Sequence, residues 1–283
     1  MSLLSGRGAP APGSGREALL GAVVETFGLT RRFAAVRAVD AVSLRVNAAE
    51  IFGLIGPNGA GKSTLIKMLT TMLPPSCGSG QVAGFDLATE AAQVRRRIGY
   101  VPQLLSADGE LTGYENLLLS ARLYLVPRRE RAARIAQALE MMGLTEVRER
   151  LVRQYSGGMI RRLEIAQSTL HRPSIIFMDE PTEGLDPLAR HAVWNHIRSL
   201  RAQLGAAIIV TTHYMDEADA LCDRIALMDR GRIQAQDTPA ALKARAGVHA
   251  TLDDVFERLA GPGAEGGSYQ DVRQSRRAAR EHT

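Results

Sequence analysis

The chain has 283 residues, of which 45% are hydrophobic, and a formal net charge of +5. A chain of this size buries roughly three quarters of its unfolded surface, which excludes disorder as the dominant state. No apolar run approaches the ~18 residues of a membrane span, and the charge is too dilute to indicate a nucleic-acid partner.

The first half of the chain divides into a tail, a β-rich region and a helical region. Residues 1–20 are rich in Gly, Pro, Ala and Ser and are predicted to form a disordered tail. Short β-rich runs then predict sheet at Val23–Thr26, Val42–Val46 and Ile51–Ile55. Between about 106 and 154 the pattern becomes helical, because Thr112 and Glu115 have the spacing of a capping box. A second helix is predicted at 131–142, with one apolar face formed by Ile135, Ala138, Leu139 and Met142.

Strands and helices alternate in the second half. The predicted elements are a strand at Ile175–Met178, a helix at Leu188–Leu204, a strand at Ala207–Thr211 and a hairpin of Ile225–Met228 with Ile233–Gln236. This alternation predicts an α/β fold with a mostly parallel sheet. A short amphipathic helix is expected at Leu252–Leu259, and residues 261–283 are predicted to form a second disordered tail.

The two cysteines give no sign of a metal or disulfide framework. Cys77 and Cys222 lie far apart in the sequence and have no CxxC or Cys/His partners. Their pattern favours a reducing, cytoplasmic setting.

A phosphate-binding loop follows the strand Ile51–Ile55. The sequence GPNGAGKST matches GxxxxGK[ST] and precedes an apolar helix pattern, so strand, loop and helix have the required order. Its glycines let backbone N–H groups point at phosphates, Lys62 can reach the β- and γ-phosphate oxygens, and the Ser63 hydroxyl can bind Mg²⁺. The predicted nucleotide-binding residues here are Gly56, Pro57, Asn58, Gly59, Ala60, Gly61, Lys62, Ser63 and Thr64.

Two adjacent acids end the apolar strand Ile175–Met178. Asp179 can hold Mg²⁺ through water, and Glu180 can orient and polarise an attacking water molecule. Two acids after a strand can also be solvated turn residues, but their occurrence with a phosphate-binding loop favours the catalytic interpretation.

A second anion-binding surface is predicted at QYSGGM, residues 154–159. Ser156 is a good N-cap, yet Gly157 and Gly158 in the first turn weaken a helix. Bare backbone at a helix N-terminus can bind an anion, so these three residues are predicted to bind phosphate. A plain helix start is the alternative.

These motifs, in this order, make the chain resemble the nucleotide-binding subunit of an ATP-binding cassette (ABC) transporter over roughly residues 23–259. The resemblance implies a P-loop NTPase core with a mostly parallel sheet, an antiparallel β subdomain and an inserted α-helical subdomain, together spanning 21–260. It assigns Gln103 to the Q-loop, Ser156–Gly158 to the signature, Asp186 to the D-loop and His213 to the switch histidine. It implies catalytic roles for Gln103, Asp179, Glu180 and His213, and Mg²⁺ ligation by Ser63, Gln103 and Asp179.

The resemblance also implies an aromatic residue that stacks on adenine. Phe33 stands where the family usually has an aromatic that stacks on adenine. Phe27 is the competing candidate, and a buried core phenylalanine is the structural alternative.

The resemblance also implies partners. Two such subunits pack head to tail around two ATP molecules, each held by the phosphate-binding loop of one subunit and the signature of the other. The stretches SGGM-x-RRL, 212–225 and 252–261 resemble the daunorubicin-resistance type of exporter ATPase. This implies export of a drug-like, antibiotic, lipid or polysaccharide substrate through a separate membrane permease. The subunit would then lie on the cytoplasmic face of the membrane and contact the permease near 103–110 and through the helical insert.

Some positions depart from the family pattern, and other functions are compatible with parts of it. Tyr155 and Met159 replace Leu and Gln of the signature, and Glu183 stands where many members have Ser or Thr, with no consequence assigned to it. A soluble ABC ATPase of translation or DNA repair usually has two cassettes or a long coiled coil, which 283 residues do not accommodate. An importer ATPase remains an alternative, whereas a lone P-loop kinase or GTPase does not explain the later motifs.

Overall fold

The computed structural model describes residues 21–260, so both predicted tails, 1–20 and 261–283, lie outside the described residues. The strands are β1 Ala22–Phe33, β2 Val36–Asn47, β3 Ile51–Ile55, β4 Cys77–Val82, β5 Phe85–Asp86, β6 Ile98–Val101, β7 Ile175–Asp179, β8 Ala207–Thr212, β9 Arg224–Asp229 and β10 Arg232–Asp237. The α-helices are α1 Lys62–Leu69, α2 Ala91–Arg97, α3 Gly113–Leu123, α4 Arg128–Met141, α5 Gly157–Thr169, α6 Pro187–Leu204, α7 Met215–Leu221, α8 Pro239–Ala246 and α9 Leu252–Ala260.

A six-stranded sheet forms the centre of the chain, with the strand order β10-β9-β3-β8-β7-β6. The pairs from β9 to β6 are all parallel, and only the β10–β9 hairpin is antiparallel. Every residue of β3, β7 and β8 is buried. Helices cover both faces of such a sheet, which explains why these strands are continuous apolar runs in the sequence.

A second, antiparallel sheet has the order β2-β1-β4-β5. Strands β1 and β2 have 12 residues each, and buried residues alternate along much of them with exposed or partly exposed ones. They are longer than the predicted strands because their polar residues face solvent and interrupt the apolar pattern. Together the two sheets confirm the predicted fold class.

The helical insert contains α3 and α4. Thr112 accepts a hydrogen bond from the Glu115 N–H, and the Glu115 carboxylate accepts one from the Thr112 N–H, which confirms the capping box. The predicted apolar face of α4 is buried in the core that it shares with α3 and α5. Within residues 21–260, no helix is both long and apolar enough to cross a membrane.

Candidate nucleotide-binding site

The predicted catalytic residues lie at one edge of the central sheet, where four parallel strands end. Strands β3, β8, β7 and β6 are consecutive neighbours, so their carboxyl ends lie side by side. Ile55 is paired with Thr212, and Asp179 is paired with Thr211. The phosphate-binding loop leaves β3, His213 follows β8, Glu180 follows β7 and Gln103 follows β6. Ligands of open α/β sheets bind at this edge.

The phosphate-binding loop needs glycine at two positions for reasons of backbone packing. A Cβ atom on Gly56 would lie 2.0 Å from the carbonyl oxygen of Met228. Gly61 has a φ of 102°, and a Cβ there would lie 2.2 Å from the carbonyl oxygen of Ala38. Gly61 also precedes α1 without a side-chain cap, and the first turn of α1 has no acidic residue. The N-terminal N–H groups of α1 are therefore available to phosphate oxygens.

Lys62 is held at the centre of this loop. Its Nζ atom donates to the carbonyl oxygens of Gly56 at 2.8 Å and Pro57 at 3.2 Å, and lies 3.1 Å from Glu180 Oε1. Only 4% of Lys62 is exposed. These three partners use the three donors of the ammonium group and fix its position beside the loop.

Asp179, the last residue of β7, links the loop to the neighbouring strand β8. Its Oδ1 atom accepts hydrogen bonds from the Ser63 hydroxyl at 3.1 Å and from the Thr211 hydroxyl at 2.6 Å. Hydroxyl and carboxylate oxygens are ligands that Mg²⁺ prefers, and Mg²⁺ usually takes few protein ligands when phosphates supply the rest. Residues 21–260 contain no group of three or more His, Cys, Asp or Glu side chains that could hold a metal alone. The donor set thus fits Mg²⁺ brought with a nucleotide.

Glu180 has an unusual backbone and a fixed carboxylate. Its φ is 47°, a conformation that costs free energy in a non-glycine residue and often occurs at functional sites. The Glu180 N–H donates to the Thr211 hydroxyl at 2.8 Å, which holds this backbone in place. Thr211 was missed in the sequence; the signal was a polar residue in an otherwise apolar strand, where it is fully buried.

The charge of Glu180 is maintained by its neighbours. Burial alone would raise the pKa of the Glu180 carboxyl, but the hydrogen bond with His213 and the charge of Lys62 outweigh it and hold the pKa below its usual range. His213 Nδ1 lies 3.1 Å from Glu180 Oε2. The carboxylate is therefore ionised at neutral pH and can accept a proton from water.

Gln103 makes a contact that the sequence did not predict. Its Nε2 atom donates to Glu183 Oε2 at 2.6 Å. No role is expected for Glu183 from the sequence, but in the structure it accepts a hydrogen bond from a predicted site residue.

The predicted signature surface is exposed and lies at the start of α5. The Ser156 hydroxyl accepts from the Met159 N–H at 3.3 Å, which confirms the predicted N-cap. A Cβ on Gly157 would meet nothing nearer than Leu185 Cδ2 at 3.8 Å, and its φ is not positive. Nothing within the described chain therefore requires glycine at 157.

The replacement of Leu by Tyr155 has a structural reason, since its ring is buried and its hydroxyl donates to the Val147 carbonyl at 2.7 Å.

One chain thus carries two surfaces that are predicted to bind phosphate. Within the described residues, no hydrogen bond or ion pair joins 156–158 to 56–64. Asp186, a predicted nucleotide-binding residue, caps α6 by accepting from the Ala189 N–H at 2.9 Å.

Phe33 is 42% exposed, so the buried-core alternative is wrong for this residue. Phe27 is 62% exposed, so exposure alone does not separate the two candidates. Phe33 pairs with Val36, two residues from Ala38, whose carbonyl lies against Gly61 of the loop. Phe27 lies farther along the strand, between residues that pair with Leu44 and Val42. The register therefore places Phe33 nearer the phosphate-binding loop than Phe27.

Fold and site together define a P-loop ATPase, and comparisons with known proteins identify its family. The ABC transporter family matches residues 39–183. The daunorubicin/doxorubicin resistance ATP-binding protein DrrA of Streptomyces peucetius is 46% identical over 224 residues, which are 79% of this chain and 68% of that protein. The Nod factor export ATP-binding protein I of Ralstonia nicotianae is 42% identical over 230 residues, 81% of this chain and 70% of that protein.

The solved structures that superpose on this chain are also ATP-binding subunits or cassettes. An ATP-binding subunit of an ABC transporter superposes with a TM-score of 0.75 at 31% identity, covering 84% of this chain and all of that one. A dimeric ATP-binding cassette with bound ADP and phosphate superposes with a TM-score of 0.68 at 25% identity, covering 76% of this chain and 98% of that one. The chain belongs to the ABC transporter family. It is an ATP-binding subunit that hydrolyses ATP to power transport.

Proposed function

We propose that this ATPase powers export of a drug-like, antibiotic, lipid or polysaccharide substrate through a separately encoded membrane permease. The observation that carries the direction of transport is the 46% identity with a relative named for daunorubicin and doxorubicin resistance. The subunit would be attached to the cytoplasmic face of the membrane by the permease. Export is tested by ATP-driven uptake of daunorubicin into inverted vesicles that contain the chain and the membrane protein encoded beside its gene.

Each predicted site residue has a proposed task in hydrolysis. Lys62 and the N–H groups of the loop bind the β- and γ-phosphates, and Phe33 stacks on adenine. Ser63, Asp179 and Gln103 would hold Mg²⁺, which neutralises charge on the phosphate oxygens. Glu180 orients water and accepts its proton, so that ATP and water become ADP and phosphate. His213 holds the Glu180 carboxylate and lies near the γ-phosphate.

We infer that the complete site needs a second subunit. The signature surface is exposed, and the glycine at 157 is not required by its own chain. A head-to-tail pair would place Ser156, Gly157 and Gly158 of each subunit against the nucleotide held by the other. Such pairing buries both phosphate-binding surfaces at once.

Complementation between two inactive variants tests this composite site. Lys62→Ala removes the phosphate-binding cation, and Gly157→Asp places a carboxylate at the signature surface. A mixed dimer of the two variants has one site in which every residue is wild-type. Each variant alone is expected to be inactive and the mixture to recover part of the wild-type rate. A mixture as inactive as its components would contradict the composite site.

Exposed leucines near 103–110 and in the helical insert support the proposed permease contact. Leu104 is 81% exposed and Leu105 51% exposed in the segment that follows β6. In the helical insert, Leu123 and Leu125 are 73% and 81% exposed. A Leu104→Asp variant is expected to keep the ATPase activity of the isolated subunit but to lose co-purification with the permease in detergent. Unchanged co-purification of this variant would place the contact elsewhere.

A further inference from the structure

The backbone around Gln103 is held by a helix distant in sequence. Arg161, in the second turn of α5, donates from Nη1 to the Pro102 carbonyl and from Nη2 to the Gln103 carbonyl, both at 2.6 Å. Arg161 is only 3% exposed. A planar guanidinium can reach two adjacent carbonyl oxygens at once, which a single ammonium group does with less geometric precision.

A buried carboxylate makes this arrangement stable. Glu164 Oε2 lies 2.9 Å from Arg161 Nη1, and both side chains are almost fully buried. The other oxygen, Oε1, accepts hydrogen bonds from the Ser106 N–H and, at 3.1 Å, from the Ser106 hydroxyl. A buried charge is tolerated when it is paired and its remaining hydrogen-bonding capacity is used, as it is here. The chain from 102 to 106 is therefore attached to α5 at three points.

The side chain of Gln103 is held separately, by Glu183. An ionised carboxylate only accepts hydrogen bonds, so the Gln103 amide must turn its Nε2 toward Glu183. The amide oxygen Oε1 of Gln103 then faces away from Glu183, so Glu183 does not compete with a metal ion for this oxygen.

We propose that Glu183 and Arg161 are positioning residues that direct the amide oxygen of Gln103 toward the Mg²⁺ site. Arg161 fixes the backbone of Gln103, and Glu183 selects the rotation of its amide. This inference rests on the proposed role of Gln103 as a metal ligand. Because Arg161 belongs to α5, the helix that begins with the signature, Gln103 and the signature are placed by one rigid element.

Metal binding without turnover tests the proposal. The probe is Mn²⁺, measured by electron paramagnetic resonance in the presence of a non-hydrolysable ATP analogue. Glu183→Ala is expected to weaken Mn²⁺ binding about tenfold, at the lower end of what loss of a residue supporting a metal ligand costs. Glu183→Gln retains an oxygen that can accept from Gln103 Nε2 and should recover most of the affinity. Glu110→Ala removes another exposed carboxylate, one that pairs with Arg153 at 2.9 Å and not with Gln103, and should leave Mn²⁺ binding unchanged.

Two further variants separate this inference from the proposed function. Gln103→Ala should weaken Mn²⁺ binding, and the double variant with Glu183→Ala should bind no more weakly than Gln103→Ala alone. Arg161→Lys should also weaken binding and increase hydrogen exchange of the amides at 103–106. If Gln103→Ala weakens Mn²⁺ binding while Glu183→Ala leaves it unchanged or strengthens it, Gln103 is a metal ligand but Glu183 does not position it. If Gln103→Ala has no effect on Mn²⁺ binding, Gln103 is not a metal ligand and the positioning role of Glu183 is wrong as well.

Discussion

Gly157→Ala separates what the signature does for folding from what it does for catalysis. The new Cβ would have ordinary van der Waals contact with Leu185 Cδ2 at 3.8 Å, and the backbone of Gly157 is helical with a negative φ. Alanine in place of glycine within a helix stabilises a protein by about 0.5–1 kcal/mol, because it restricts the unfolded chain. The variant is therefore expected to be as stable as the wild type or more stable by up to that amount.

The rate of ATP hydrolysis should fall in this variant even though its stability does not. A methyl group at 157 would stand between the backbone N–H groups of α5 and the phosphates held by a second subunit. The variant should therefore lose most of its ATPase activity while ATP still binds to its own phosphate-binding loop. Urea unfolding of the nucleotide-free protein gives the stability, and phosphate release gives the rate.

The matched control is Gly56→Ala, whose Cβ would lie 2.0 Å from a backbone oxygen that cannot move independently. This control should lose both stability and nucleotide binding. A Gly157→Ala protein that is clearly less stable than the wild type, or that hydrolyses ATP at the wild-type rate, would show that glycine at 157 does not serve the phosphates of a second subunit.

Three other substitutions test the site and its support. Lys62→Arg should abolish hydrolysis, because a guanidinium does not fit where the ammonium is buried among two carbonyls and Glu180; retained phosphate release would count against the assignment. Glu180→Gln should still bind ATP but not hydrolyse it, and should lower the free energy of unfolding of the nucleotide-free protein by about 1–3 kcal/mol, because Lys62 loses its countercharge. Burial raises the pKa of the Glu217 carboxyl despite hydrogen bonds from Thr212, Thr182 and Trp194, so the wild type should lose stability as pH rises from the ordinary Glu pKa through the raised one. Glu217→Gln should lack this loss in urea titrations at several pH values, and a constant difference between the two proteins would show that Glu217 does not titrate in this way.

The centre of the fold was predictable because the parallel strands are buried on both faces. Ile51–Ile55 is apolar throughout and was predicted with its observed bounds. The observed α6 begins only one residue before its prediction, since Asp186 and Pro187 form a strong N-terminal signal. Strand β6 was missed because its four residues, IGYV, are too few to show a period and directly follow the arginines of α2.

The sequence predicted the site residues that belong to one short motif. It did not predict the contacts that these residues make with residues far away in the sequence. The loop at 56–64 was found from the spacing of its own residues, although the carbonyl groups that require glycine at 56 and 61 belong to Met228 and Ala38, outside the loop. The partners of Gln103 lie 58 and 80 residues away, at Arg161 and Glu183, and only the folded chain brings them together. Glu183 also departs from the residue type usual at its position, so a family pattern gave no signal for its contact.

A site shared by two subunits makes hydrolysis depend on the formation of dimers. This dependence is tested by measuring the rate of ATP hydrolysis per subunit over a range of protein concentrations, with the mass of the particle determined at each one. The rate per subunit should rise with concentration and level off as dimers form with ATP. A rate per subunit that stays constant where the chain is monomeric would contradict the shared site.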